Sequence, residues 1–390
     1  MVRLARSFIS DSKIGGLIMN NKVKSIVVSC IFIAFLTFFV VMCAVKMINP
    51  TESSNAERRP LAQFPTNITW ENIVTKDTEV NTIKLFESAS VDQFPFREFF
   101  RNIKANFQLN ILGLKENNGY AVEDGYIAKI EPEFNWENVE YSVGRLELIY
   151  NRFIKGKTDN VYTAIVPDKN YYFAKDYNYT SPNYDQMVEI MKNGIPDATY
   201  INLFDSLQLS DYYYADTHWS QNNLKDVVNT ITNTMGSADR INWNYTEKTL
   251  ENFKGVYHAQ SALYPKPETL TYMTNSIIEN ATVYDFETNK VYGIYNFEAY
   301  EGNDGYDFFL SGTRSYLRID NPNATTDKEL VMFRDSFGAS IAPLLVEGYK
   351  TIYLIDIRSL PMQTIMTIDF TDKDVLFIYS SLVLNQKAFK

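Results

Sequence analysis

The sequence is short of the residues that bind metals and form cross-links. In 390 positions it holds two histidines, His218 and His258, and two cysteines, Cys30 and Cys43. Two imidazoles are too few for a multi-histidine zinc centre. Both thiols lie inside one apolar run, so the remainder of the chain has neither disulfides nor a thiolate metal site. Basic charge is also scarce: 37 Lys and Arg stand against 47 Asp and Glu, a net charge of −10. With no basic stripe to neutralise phosphates, nucleic acid is not an expected partner. No phosphate-cradling glycine loop or nucleotide motif follows residue 49, and no cofactor is expected.

What is present points to a globular protein. Hydrophobic residues at 45% and charged residues at 22% argue against wholesale disorder. The length suits one large domain with an appended segment. Aromatic rings are plentiful, with 27 Tyr and 26 Phe. They suit a β-rich core first and a carbohydrate-facing cleft second.

Ile26–Val45 is uncharged and apolar over about twenty residues, the length a helix needs to cross a hydrocarbon core. Arg3, Arg6, Lys13, Lys22 and Lys24 precede it, which predicts a cytoplasmic N-terminus. A cleaved signal peptide would need a shorter apolar core and a small-x-small exit. A lipoprotein reading would use Cys43, but bulky Met42 precedes it. The expectation is a cytoplasmic segment at 1–25 and a single membrane anchor at 26–48. A linker and helical lead-in would follow at 49–115, and an extracytoplasmic domain at 116–390.

In the lead-in, Asn49–Phe64 is polar and proline-bearing and reads as a stalk. Pro95 can start a helix carrying Phe99, Phe100, Ile103, Phe107 and Ile111, a face expected to pack on the main domain. Beyond it, apolar runs at Val161–Pro167, Ala198–Leu203, Leu330–Phe333, Thr351–Asp356 and Asp374–Tyr379 alternate with helical stretches. That pattern predicts an α/β three-layer domain with a mainly parallel sheet covered on both faces. Residues 236–328 read as an irregular or β-rich insertion.

Two segments carry chemistry. In Glu329–Leu345 a strand runs into Arg334-Asp335-Ser336-Phe337-Gly338 and an apolar helix begins. A serine there projects from the carboxyl end of a strand, and backbone N–H groups at the helix start can hold an oxyanion. The plain alternative is an N-cap. In Tyr212–Ile231, Ser220 can cap a helix with Leu224, Val227, Val228 and Ile231 on one face. Asp216 and His218 precede it, two residues apart, and on an extended strand would share a face. Asp216 can then hold one imidazole nitrogen while the other meets a hydroxyl. The alternative is a structural hydrogen bond in a loop. Together the segments supply nucleophile, base and orienter as Ser336, His218 and Asp216. Trp219 can stack on a sugar ring or fill the core. His258 reads as structural.

The chain resembles the DHHW family of exported bacterial proteins, itself similar to the AlgX/AlgJ alginate O-acetyltransferases with an SGNH-hydrolase-like fold. The resemblance rests on RRPLAQFP (Arg58–Pro65), DQFPFR (Asp92–Arg97), VPDK (Val166–Lys169), DTHW (Asp216–Trp219), FLSG (Phe309–Gly312), RDSFGASIAPLL (Arg334–Leu345) and DIR (Asp356–Arg358). It implies Ser336 as nucleophile, His218 as base and Asp216 as orienter, with the acid–base pair ahead of the serine. Thr217 stands where the family has a second histidine, and separate glycine and asparagine oxyanion segments are not evident. Trp219, Lys169, Arg334 and Arg358 are candidate substrate contacts, though cations such as these three are more often structural ion pairs. The implied activity is transfer of an acetyl group from a membrane-embedded acyltransferase to an exported polysaccharide. An acetyl esterase and a non-catalytic polysaccharide-binding or envelope-assembly protein are the rival readings.

Overall fold

The computed structural model describes residues 21–55, 57–66, 82–302 and 304–389. Most of the expected cytoplasmic segment, residues 1–20, lies outside the described residues. The chain divides into two compact units. One runs to Ser54 and takes in Arg59–Phe100; the other takes in Asn55–Arg58 and everything from Arg101. The division thus falls near residue 100, earlier than the boundary expected at 115.

The first unit holds helix α1 (Asn21–Ile48), helix α2 (Thr82–Asp92) and the start of helix α3 (Arg97–Asn106). Among the described residues, α1 is the one helix long and apolar enough to cross a membrane. Its Ile, Val and Phe side chains stand largely exposed. The expected stalk is folded instead. Ser53–Ser54 pairs antiparallel with Arg59–Pro60. The Asp92 carboxylate accepts two bonds from the Arg59 guanidinium, at 2.7 and 2.8 Å, and one from the Ala62 N–H at 2.9 Å. The Gln93 amide brackets the Thr51 backbone, donating to its carbonyl and accepting from its N–H. These partners lie 33 and 42 residues apart, so proline and polar composition alone read as a linker.

Helix α3 forms where expected, one residue after Phe96 turns the chain with a φ of 58°, and continues as a π-helical segment, Phe107–Ile111. Its apolar face does not pack inward. Phe99, Ile103, Phe107 and Ile111 are 63%, 48%, 46% and 70% exposed.

The second unit is built on one eight-stranded sheet. Its strands are β1 (Val161–Val166), β2 (Thr199–Ile201), β3 (Thr282–Asp285), β4 (Lys290–Tyr292), β5 (Tyr316–Asp320), β6 (Glu329–Arg334), β7 (Thr351–Ile355) and β8 (Asp374–Ser380). They run in the order β4-β3-β5-β7-β6-β8-β1-β2. The five apolar runs of the sequence form the parallel half, β7-β6-β8-β1-β2. The other half, β4-β3-β5-β7, is antiparallel. Strands β3, β4 and β5 come from the region read as an insertion, so that region is partly integral to the sheet. Its hairpin, Thr246–Phe253 with Glu268–Thr274, pairs apart from it.

Helices flank the sheet: α4 (Trp136–Ile149), α5 (Lys169–Tyr177), α6 (Tyr184–Gly194), α7 (Lys225–Thr234) and α8 (Ser336–Leu345). The period-two alternation along β6 decides which side each serves. Val331 and Phe333 join the α4 and α6 side chains in one buried cluster, and Leu330 and Met332 join those of α5, α7 and α8 in another. Both faces are therefore covered, the arrangement a parallel half-sheet requires. Where β6 passes into α8, Asp335 caps the helix. Its Oδ1 accepts from the Phe337 N–H at 3.0 Å and its Oδ2 from the Ser380 N–H, at the end of β8, at 2.7 Å. The helix start is thereby pinned to two adjacent strand ends. Gly338 is required by close approach, since a Cβ there would collide with the Arg334 side chain.

The Asp92 clasp carries a pH signature. The Arg59 guanidinium, working against burial and helped by the Ala62 N–H, pulls the Asp92 carboxyl down to about 2. Its stabilising effect is full above the unfolded pKa, about 4, and is lost as pH falls through the folded value. Hydrogen exchange, corrected for intrinsic rate, should show Ala62 losing protection between pH 4 and pH 2, and Asp92→Asn should remove that dependence.

Candidate active site

Ser336, at the first turn of α8, is half-buried, and its Oγ lies 2.7 Å from Nε2 of His218. His218 Nδ1 lies 2.6 Å from Oδ1 of Asp216. The structure thus brings together the three residues singled out in the sequence, joined in one line from two segments 118 residues apart. Asp216 and His218 do not sit on a strand. They lie in a tight loop closed by a bridge between Tyr212 and Trp219, with the Tyr213 N–H donating to the His218 carbonyl. Within it Asp216 Oδ1 also accepts from the His218 backbone N–H at 2.9 Å, an Asx turn that folds the aspartate back onto its histidine. Ser220 stands just before a short 3-10 turn, Gln221–Asn223, its hydroxyl donating to the Asn222 side chain instead of capping the backbone, and α7 begins only at Lys225.

Asp216 has no solvent exposure. Burial by itself would raise its pKa. The His218 imidazole, the hydrogen bonds from His218 and the more distant Arg58 guanidinium outweigh burial and hold the carboxyl well below the usual range. The other oxygen, Oδ2, accepts from the Val256 N–H at 2.7 Å. An ionised Asp216 is acceptor-only, so Nδ1 carries the proton and Nε2 offers its lone pair to the Ser336 hydroxyl. That is the arrangement in which a histidine can remove the serine proton as the oxygen attacks a carbonyl. Gly255 approaches this loop so closely that a Cβ would collide with the Ala215 carbonyl and the Asp216 side chain.

The four candidate substrate contacts are held by partners within the protein, in keeping with the structural alternative left open for each. Trp219 is fully buried, and its indole N–H donates to Ser340 Oγ at 2.8 Å, which leaves no face for a sugar. Arg334 is likewise buried, its guanidinium donating to the carbonyls of Asp335, Gly312 and Arg314 at 3.3–3.5 Å. It ties the Gly312 loop to the end of β6. Arg358 pairs with Asp356 at 2.6 Å. Lys169 is buried and donates to the Ile127 and Tyr214 carbonyls at 3.0 and 3.2 Å. Burial lowers its pKa and raises that of Glu268, whose carboxylate accepts from the Tyr214 and Ala215 N–H groups. Lys169 and Glu268 therefore clamp the segment immediately before Asp216. His258 sits in a short helix, Val256–Gln260, beside a cavity of about 580 Å³ that Arg58, Tyr264 and Tyr300 also line.

Two participants went unread. The Tyr306 ring lies flat on the His218 imidazole, centroids 3.8 Å apart and planes 7° from parallel. Its hydroxyl donates to Ser340 Oγ at 2.7 Å. Ser340 in turn donates to the Phe337 carbonyl, and its own carbonyl accepts from the Gln221 amide. One buried hydroxyl, a turn along α8 from Ser336, thus anchors both neighbours of the histidine. The i, i+4 spacing of Ser336 and Ser340 is visible in the sequence, but nothing there marks Tyr306. Among the described residues no group of three or more His, Cys, Asp or Glu gathers to hold a metal ion.

No family model and no curated protein matches the chain. Solved structures do. A DHHW family protein from Eubacterium siraeum DSM 15702 aligns with a TM-score of 0.57 at 20% identity, over 70% of this chain and 93% of that one. Bacillus cereus PatB1, carrying a sulfonyl adduct, aligns with a TM-score of 0.52 at 20% identity, over 70% of this chain and 99% of its own. These matches establish a mixed α/β fold shared with both proteins, and they support the DHHW resemblance read from the sequence.

Ser340→Ala should leave the Trp219 N–H and the Tyr306 hydroxyl buried without an acceptor. The expected cost is about 1–3 kcal/mol for each donor, read as a lowered midpoint in thermal or urea unfolding.

Proposed function

We propose that the protein is a membrane-anchored, extracytoplasmic O-acetyltransferase of the DHHW family with an SGNH-hydrolase-like domain. The observation that carries the reading is the continuous line from Asp216 through His218 to the half-buried Ser336 hydroxyl. The resemblance of its D-x-H and D-S segments to the alginate O-acetyltransferases names the chemistry. The sulfonyl adduct on PatB1 is the product expected when an electrophilic sulfur meets an activated nucleophile. The exposed apolar α1, with basic residues ahead of it, supports an anchor with the N-terminus in the cytoplasm.

The reaction runs in two halves. Ser336 Oγ attacks the acetyl carbonyl of the donor while His218 Nε2 takes the hydroxyl proton. The oxyanion is held by the Ser336 backbone N–H at the start of α8, since those of Phe337 and Gly338 already bond Asp335. When the C–O bond to the donor breaks, His218 returns that proton to the leaving oxygen, and acetyl-Ser336 remains. A hydroxyl of an exported polysaccharide then attacks the ester, again giving its proton to His218. Collapse frees the acetylated sugar, and the proton goes back to Ser336. Asp216 stays ionised throughout and stabilises the imidazolium. A membrane-embedded acyltransferase is the donor in this scheme.

Incubating the detergent-solubilised chain with p-nitrophenyl acetate tests the first half. Intact mass should rise by one acetyl group, not at all in Ser336→Ala and about 10²–10⁴-fold more slowly in His218→Ala. An oligosaccharide acceptor with free hydroxyls should speed loss of the adduct and leave carrying the acetyl group, whereas release to water alone identifies an esterase. A folded protein that takes no adduct contradicts both.

A further inference from the structure

Large apolar side chains on the surface of this molecule are unevenly spread. From residue 116 to 389, those exposed among the described residues are Leu148, Tyr214, Phe286, Val291, Phe297 and Met366. The short stretch 82–114 exposes more than that whole span does. Its densest part is α3 with its π-helical continuation. Phe99, Phe100, Ile103, Phe107 and Ile111 recur at helical spacing as one stripe, while Arg97, Arg101 and Lys104 follow around the helix. The charged side is satisfied within the protein: Arg97 pairs with Asp92 and Glu98, and Arg101 with Glu57. The apolar side is left uncovered.

The N-terminal unit shows where the stripe starts. Phe39 of α1 stacks on Phe94 with centroids 5.9 Å apart and touches Phe100 at 6.1 Å, and Phe38 lies 6.2 Å from Phe96. Phe39 is six residues inside Val45, where the apolar run of α1 ends, which is about 9 Å of helix axis. Amphipathic helices that lie in a membrane surface bury their apolar face by about 5–10 Å. The rings of 94–100 thus stand against the span at the depth such a helix occupies. The exposed stripe of α3 begins in that same cluster, at Phe99 and Phe100.

We infer that α3 is an in-plane membrane helix, its Phe99–Ile111 stripe seated in the boundary between headgroups and acyl chains of the extracytoplasmic leaflet. The inference rests on the reading of α1 as a membrane span. The chain then holds the bilayer at two places, a crossing helix and a helix lying flat beside it. The flat helix adds apolar burial that the span does not supply.

The test uses the full chain in phospholipid vesicles, with Cys30→Ser and Cys43→Ser and one spin label at a time. Labels go on cysteines replacing Phe99, Ile103 and Phe107, with Glu98 as the polar-face control and Ile33 as the span control. The three stripe labels should relax faster with oxygen than with a water-soluble nickel chelate, as the Ile33 label does, and the Glu98 label should do the reverse. A lipid-type Ile33 with water-type stripe labels overturns the inference and leaves the anchor standing. Water-type labels at every position, Ile33 included, overturn the anchor reading itself. Stripe labels shielded from both relaxants would mean that a protein covers the face, which also overturns it. In the unsubstituted chain, a bilayer-partitioned diazirine should label the 97–111 peptide together with α1, and labelling of α1 alone counts against the inference.

Discussion

A carboxylate cut off from water must be met by protein donors, and at Asp216 both oxygens are. Oδ1 takes the backbone and ring N–H groups of His218, and Oδ2 takes the Val256 N–H. Removing any of them would leave part of a buried charge uncompensated, at several kcal/mol. Much of the surrounding geometry follows from that demand. The loop between Tyr212 and Trp219 folds back so that His218 can supply two donors. Position 255 is small so that the segment bearing Val256 can come close. Lys169 and Glu268 fix the two residues before Asp216 through their backbone groups. The charge also selects the histidine tautomer, and that tautomer turns Nε2 into an acceptor for Ser336.

The other half of the site hangs on the end of β6. Asp335 binds the start of α8 and the end of β8 with its two oxygens, so Ser336 is positioned by the sheet itself. One turn further on, Ser340 holds the Tyr306 hydroxyl and the Trp219 indole. These are the ring stacked on the imidazole and the residue next to it in the chain. A single helix therefore presents the hydroxyl and braces the imidazole that lies within hydrogen-bond distance of it. That coupling makes the distance between Oγ and Nε2 a property of the packed core rather than of two loops.

Local patterns were legible, and long-range ones were not. The five apolar runs announced the parallel half of the sheet because strands buried on both faces have little polar freedom. The antiparallel half escaped notice because β3, β4 and β5 carry Tyr, Thr, Lys, Arg and Asp among their apolar residues. Asp-x-His and Asp-Ser before a helix were readable because each is a short local arrangement. The partners of two of the cations were not legible because they are remote. Lys169 meets the Ile127 carbonyl 42 residues away, and Arg334 meets that of Gly312 22 residues away. Trp219 is the same case, its partner Ser340 lying 121 residues on. The aromatic face of α3 was expected to be core because periodicity reports an apolar side and says nothing of what covers it.

Activation of Ser336 by Asp216 through His218 is the step on which the proposed chemistry turns. The direct measurement is the rate at which a sulfonyl fluoride modifies Ser336, followed by intact mass, in the native chain and in Asp216→Asn. An asparagine keeps the shape but presents an amide that favours the wrong histidine tautomer. A fall of about 10³–10⁴-fold is expected, with the folded state shown intact by thermal unfolding. A rate within a few-fold of the native chain would contradict it.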